Sequence, residues 1–154
     1  MSNLFDRANY PIQEPDTIVI GDRLVWRRDD IADTYPTSTF ALTYEFHKDS
    51  GGGGSHQFEI TATEADSTYF IEVASSTTAS YTDGDYIWNA YITRSADSER
   101  IRIDTGRSTV VLNLANTNAD LRSHAKKVLD NIEAVLENRA SIDQSSFSIA
   151  GRSL

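Results

Sequence analysis

The run Asp83-Gly84-Asp85-Tyr86-Ile87-Trp88-Asn89-Ala90-Tyr91-Ile92-Thr93 constrains the fold more than any other stretch. It opens on Asp-Gly, a turn signal. It then alternates strictly, with Tyr86, Trp88, Ala90 and Ile92 on one side and Ile87, Asn89 and Tyr91 on the other. A period of two in β-branched and aromatic residues predicts a strand with one face in a core.

Similar alternation recurs along the chain. Thr17-Ile18-Val19-Ile20 predicts a short strand ended by Gly21-Asp22, and Leu24 and Trp26 share a face in the next. Asp29 to Pro36 reads as a loop. Phe40, Leu42, Tyr44 and Phe46 then alternate with polar residues. The glycine run Gly51–Gly54 leaves the backbone unrestrained, and we read it as a long hairpin loop with His56, Phe58, Ile60 and Ala62 on the return strand. Tyr69, Ile71 and Val73 form another strand, and Ser75 to Asp83 has room for one helical turn. Ile101 and Ile103 begin the last strand, which resumes after Gly106 at Thr109-Val110-Val111-Leu112, so a bulge is expected at Gly106. About seven short strands with turns and no helix between them predict an antiparallel sandwich.

Both ends depart from this pattern. Residues 1–16 lack periodicity and contain Pro11 and Pro15, which favour an extended arm. Its apolar residues Leu4, Phe5, Tyr10 and Ile12 have no evident strand partner, so the arm is either a free tail or a segment that orders against a neighbouring subunit. At the other end Leu121, Ala125, Val128, Leu129, Ile132, Val135 and Leu136 recur at helical spacing, opposite Arg122, Lys126, Lys127, Asp130, Glu133 and Glu137. Apolar area is worth about 25 cal/mol per Å² when buried, so this stripe calls for a surface to dock on. Phe147 and Ile149 suggest a short terminal hairpin. The expected organisation is an arm at 1–16, a sandwich at 17–112 and a helix with hairpin at 113–154.

Composition excludes several function classes. Across 154 residues the net charge is −9, which opposes nucleic-acid backbone and anionic membrane surfaces as partners. The chain has no cysteine, hence no disulfide, thiolate metal site or thiol nucleophile. The first residues lack the basic and apolar pattern of a signal peptide, and no apolar run reaches membrane-spanning length, so synthesis in the cytoplasm is expected.

Candidate chemistry is sparse. His47 and His56 flank the glycine loop near Asp49 and could approach across the hairpin, but such residues are ordinarily solvated; His124 falls on the polar side of the helix. No nucleophile elbow or phosphate loop occurs. Glu59, Glu64, Glu72, Asp83 and Asp85 are the carboxylates that could pair for glycoside cleavage, and Tyr35, Tyr69, Tyr81 and Tyr91 could form a sugar platform. Edge carboxylates are mostly solvated charge, so neither enzymatic activity nor a cofactor is expected.

Two resemblances add to this reading. Tyr86, after a tight turn and two residues before Trp88, resembles the tyrosine corner of immunoglobulin-like sandwiches, with Trp88 where an antibody domain carries a disulfide cysteine. The tail from Arg122-Ser123-His124-Ala125-Lys126-Lys127-Val128-Leu129 through Ser146-Phe147-Ser148-Ile149-Ala150-Gly151-Arg152-Ser153-Leu154 resembles small structural proteins of tailed bacteriophages, in which a strand similar to Tyr86–Tyr91 precedes such a helix. It is also similar to the helix and hairpin that open the lambda-type W head–tail joining fold, in which a second helix follows. These resemblances imply a non-enzymatic virion protein, homo-oligomeric, meeting portal, neck or major capsid protein through Leu4, Phe5, Tyr10, Ile12, the helix stripe, Phe147, Ile149 and Arg152. The head–tail neck is the first expectation. A capsid decoration protein with the arm reaching over capsid subunits is the second, and a carbohydrate-binding module the third.

Overall fold

The computed structural model describes residues 1–49, 57–115, 126 and 128–138. The chain divides into two compact units, Met1–Thr117 and Asn118–Leu154. The arm therefore belongs to the first unit.

The first unit is mainly β. After a single 3-10 turn at Arg7–Asn9, its elements are β1 (Thr17–Val19), β2 (Leu24–Arg28), α1 (Asp29–Thr34), β3 (Phe40–Lys48), β4 (Gln57–Thr61), β5 (Thr63–Ala65), β6 (Thr68–Val73), α2 (Ser75–Thr78), β7 (Gly84–Arg94) and β8 (Arg100–Val111). They form a five-stranded sheet in the order β1-β8-β7-β3-β4 and a three-stranded sheet in the order β2-β6-β5. Pairing is antiparallel except between β1 and β8, which run parallel with Thr17 opposite Thr109. The expected all-antiparallel arrangement is corrected at that edge. A parallel pair needs a crossover, and here everything between β1 and β8 supplies it.

One core draws side chains from both sheets. Tyr86, Trp88, Ala90 and Ile92 of β7 are all buried, as the alternation predicts, and so are Leu42, Tyr44 and Phe46 of β3. Leu24 and Trp26 face them from β2, and Tyr69, Ile71 and Val73 from β6. An edge-to-face chain of rings crosses the core, with Trp26 to Tyr44 at 5.2 Å and Tyr44 to Trp88 at 5.7 Å between centroids. At one end Phe46, Phe58 and Tyr81 stack, with centroid spacings of 4.6 and 3.8 Å. The Tyr86 hydroxyl donates to the Thr82 carbonyl at 2.8 Å, tying the start of β7 to the turn before it.

Three local expectations are revised. Asp29 to Pro36 is not simply a loop, because Asp29–Thr34 is helical with Ile31 and Ala32 buried. Asp29 and Asp30 occupy its first turn, where carboxylates oppose the exposed amides of a helix start. The bulge lies at Ile103, between the pairs Ala90–Asp104 and Tyr91–Arg102, and not at Gly106. Gly106 instead pairs directly with Trp88, and a Cβ there would meet the indole Cζ2 at 2.4 Å. Its missing side chain is space that Trp88 occupies.

In the second unit residues 128–138 are helical, with Lys126 and Asp130 paired at 2.8 Å on the charged side. The glycine loop with His56, and Leu121, His124, Ala125, Phe147, Ile149 and Arg152, lie outside the described residues.

Candidate functional site

The N-terminal arm is a strap bound to its own unit, and its anchor is Glu72 on β6. Side chains on β6 alternate, so Tyr69, Ile71 and Val73 enter the core while Phe70 and Glu72 face outward. The strap covers that outer pair. Arg7 donates to both Glu72 oxygens, at 3.0 Å from Nε and 2.8 Å from its terminal nitrogen, and the Tyr10 hydroxyl donates to Oε1 at 2.6 Å. The Arg7 guanidinium also lies 4.9 Å from the Phe70 ring centroid, and Tyr10 meets that ring edge-on at 6.1 Å. The Arg7 hydrogen bonds, reinforced by Tyr10, pull the Glu72 carboxyl down to about 2.

Beyond Tyr10 the strap bonds to one strand of each sheet. The Arg27 amide on edge strand β2 donates to the Pro11 carbonyl at 2.8 Å. Further on, the Ser108 hydroxyl donates to the Pro15 carbonyl and the Thr109 amide to the Asp16 carbonyl at 2.8 Å, which leads the chain into β1 alongside β8. Exposed strand edges invite pairing with other chains, and the strap occupies two of them.

Arg28, at the end of β2, is the second anchor. It points inward with only 11% of its side chain exposed, and it bonds Asp30 through two nitrogens at 2.9 Å each. It also contacts Glu14 of the strap closely and Asp104 of β8 at 3.4 Å. The Tyr44 hydroxyl donates to Glu14 at 2.5 Å. The paired Asp30 raises the Arg28 guanidinium above its ordinary value, and burial next to Glu14 raises the Tyr44 phenol. Tyr44 is thus held as a donor, and strap, small sheet and large sheet meet at one cation.

The anticipated assembly residues separate into two groups. Tyr10 is buried, with 3% of its surface exposed, so its place is in this unit's own packing and not on a neighbour. The reason is a partner 62 residues away, Glu72, which local periodicity does not reveal. Leu4, Phe5 and Ile12 are exposed, with Arg23 over the Phe5 ring at 5.9 Å. In the helix Val128, Leu129, Ile132, Val135 and Leu136 are exposed as well, and all but Leu129 border a shallow apolar groove with Asn131.

The other candidates are dispersed. His47 lies 3.9 Å from Glu45, and no group of three His, Cys, Asp or Glu able to hold a metal ion occurs among the described residues. Tyr69 is fully buried, donating to the Tyr35 and Phe40 carbonyls, while Tyr81 stacks on Phe58 and Tyr91 lies under Arg100. They do not make one platform. Glu72 is committed to the strap, and Asp85 accepts from Thr109. Sequence reading missed Arg28 and the role of Glu72. A charged residue on the inward phase of β2, beside Leu24 and Trp26, was the available signal. No helix among the described residues is long and apolar enough to cross a membrane.

With this geometry in view, the chain was compared with known proteins: no family model matches it, and no curated protein matches it either.

Proposed function

We propose that this chain is a non-enzymatic structural protein of a tailed-phage virion, assembling in several copies at the head–tail neck on an immunoglobulin-like body. The strand order β2-β6-β5 facing β8-β7-β3-β4 matches the B-E-D and G-F-C-C′ arrangement of such sandwiches. The bond from Tyr86 to Thr82 has the form of a tyrosine corner, and the chain Trp26–Tyr44–Trp88 bridges the sheets where an antibody domain uses a disulfide. These features support the fold reading, and the tail resemblance supports the phage reading.

The observation that carries assembly is the apolar stripe of residues 128–138. Val128, Ile132 and Val135 recur on one side, joined by Leu129 and Leu136, while Lys126 and Asp130 pair elsewhere on the helix. Apolar side chains so aligned gain about 1.5–3 kcal/mol each on full burial, and contact with copies of this chain or with portal would supply it. Mass photometry of purified protein, with co-sedimentation on portal, tests this. A multimer that binds portal is expected. A stable monomer with no virion association would overturn the reading.

A second reading, capsid decoration, is favoured by Leu4 and Phe5, exposed on the stretch that precedes Arg7. Copy number per particle separates the two, since a neck ring contributes one set of subunits and a decoration protein covers the head.

A further inference from the structure

We propose that the cleft between α1 and β8 is a binding site for an extended peptide segment bearing a lysine or arginine. The cleft is independent of the helix and of the assembly reading. It has a volume of about 710 Å³ and lies wholly within the first unit.

Its walls are acidic. Glu14, Asp16, Asp29, Asp30, Asp33 and Asp104 line it, against Arg28 and Arg107. Arg107 is engaged with Asp49 at 2.6 Å, and Arg28 is already shared among Glu14, Asp30 and Asp104. Asp16 and Asp33 are exposed and make no side-chain hydrogen bond or ion pair with another described residue. The local field therefore favours a cation arriving from outside.

The floor adds a different demand. Trp88 is 6% exposed and lines this cleft together with Gly106. Its indole Nε1 is buried without a hydrogen-bond partner. A Cβ at Gly106 would meet Nε1 at 3.1 Å and Cζ2 at 2.4 Å, so the edge of the ring that carries the N–H lies against the glycine. A buried donor left unpaired is destabilising, and a ligand oxygen that reached it would relieve this.

The occupant must therefore offer a cation and an acceptor together. A metal ion offers no acceptor and finds no chelating group among the described residues. A polyamine supplies cations only. A peptide residue with a basic side chain supplies both, its carbonyl toward Trp88 and its ammonium or guanidinium toward Asp16 and Asp33. Ile12, exposed on the rim, supplies apolar contact.

The test is a ¹H–¹⁵N titration of the full chain with the blocked peptide acetyl-Ala-Arg-Ala-Lys-Ala-amide, with spermidine and with magnesium chloride. The Trp88 indole resonance, assigned through its contacts with Gly106, should shift with the peptide and remain in place with the other two. The double variant Asp16→Asn, Asp33→Asn removes no internal bond among the described residues and should weaken peptide binding about five- to tenfold, the sum of two partly screened charge contacts. A stationary Trp88 resonance, an equal shift with spermidine, or unchanged affinity in the double variant would each overturn the proposal.

Discussion

Two stretches of this chain carry apolar side chains that strand alternation does not place, and they are built on different plans. In the strap, aromatic and charged residues are interleaved, and the anchoring ones find counterparts of their own kind: Tyr10 meets Phe70 with its ring and Glu72 with its hydroxyl. In residues 128–138 apolar and charged residues are separated onto different sides, with Val128, Ile132 and Val135 in line. Interleaving encodes a particular address, because each polar group must be satisfied where it lands. Separation encodes a face, which any apolar surface of suitable shape can cover.

Breaking the Arg28 hub tests the first plan most severely. Arg28→Ala leaves Glu14 confined without its cation and is expected to cost about 3–5 kcal/mol in urea denaturation. Removing the other anchor by Glu72→Ala should cost about 2 kcal/mol, with faster proteolysis inside residues 1–16. Gly106→Ala, which touches neither region, forces Trp88 to move and should cost about 1–3 kcal/mol.

Acid provides a gentler probe. Glu72 titrates at about 2 in the folded chain against an ordinary 4.5, so its carboxylate contributes stability above pH 4.5. That contribution is lost as pH falls from 4.5 toward 2, and protease sensitivity of the strap should rise through that window. Glu72→Gln should abolish the pH dependence of this release. The smallest effect is expected in the other region: Ile132→Asp should leave the stability of the first unit within about 0.5 kcal/mol while lowering the association state seen by mass photometry. Equal losses in both regions would erase the distinction.

What could be read in advance followed from periodicity. β7 and β3 were legible because alternate side chains declare their face one after another. The strap was not legible, since its partners lie 62 and 65 residues away and no local rule links Tyr10 or Arg7 to Glu72. The parallel pairing of β1 was hidden for the same reason. β5 escaped because it has three residues and its turn, Asp66-Ser67, takes positive φ at both positions without a glycine to announce it. Gly106 was recognised as a break but misassigned, because a missing side chain signals a bulge or a close approach equally well in sequence. The Arg28 hub combined both difficulties, an inward charge with distant partners.

The strap also carries a consequence for biosynthesis. Residues 7–16 leave the ribosome well before β8, yet Pro15 and Asp16 are bonded to Ser108 and Thr109, and the separation from Pro15 to Ser108 is 93 positions. Pro15 and Asp16 must wait until β8 has emerged before they reach these partners, so this end of the strap closes late in the folding of the first unit. A nascent chain halted before β8 would display bare strand borders to its neighbours on the polysome, and the arrival of β8 is what removes them from reach.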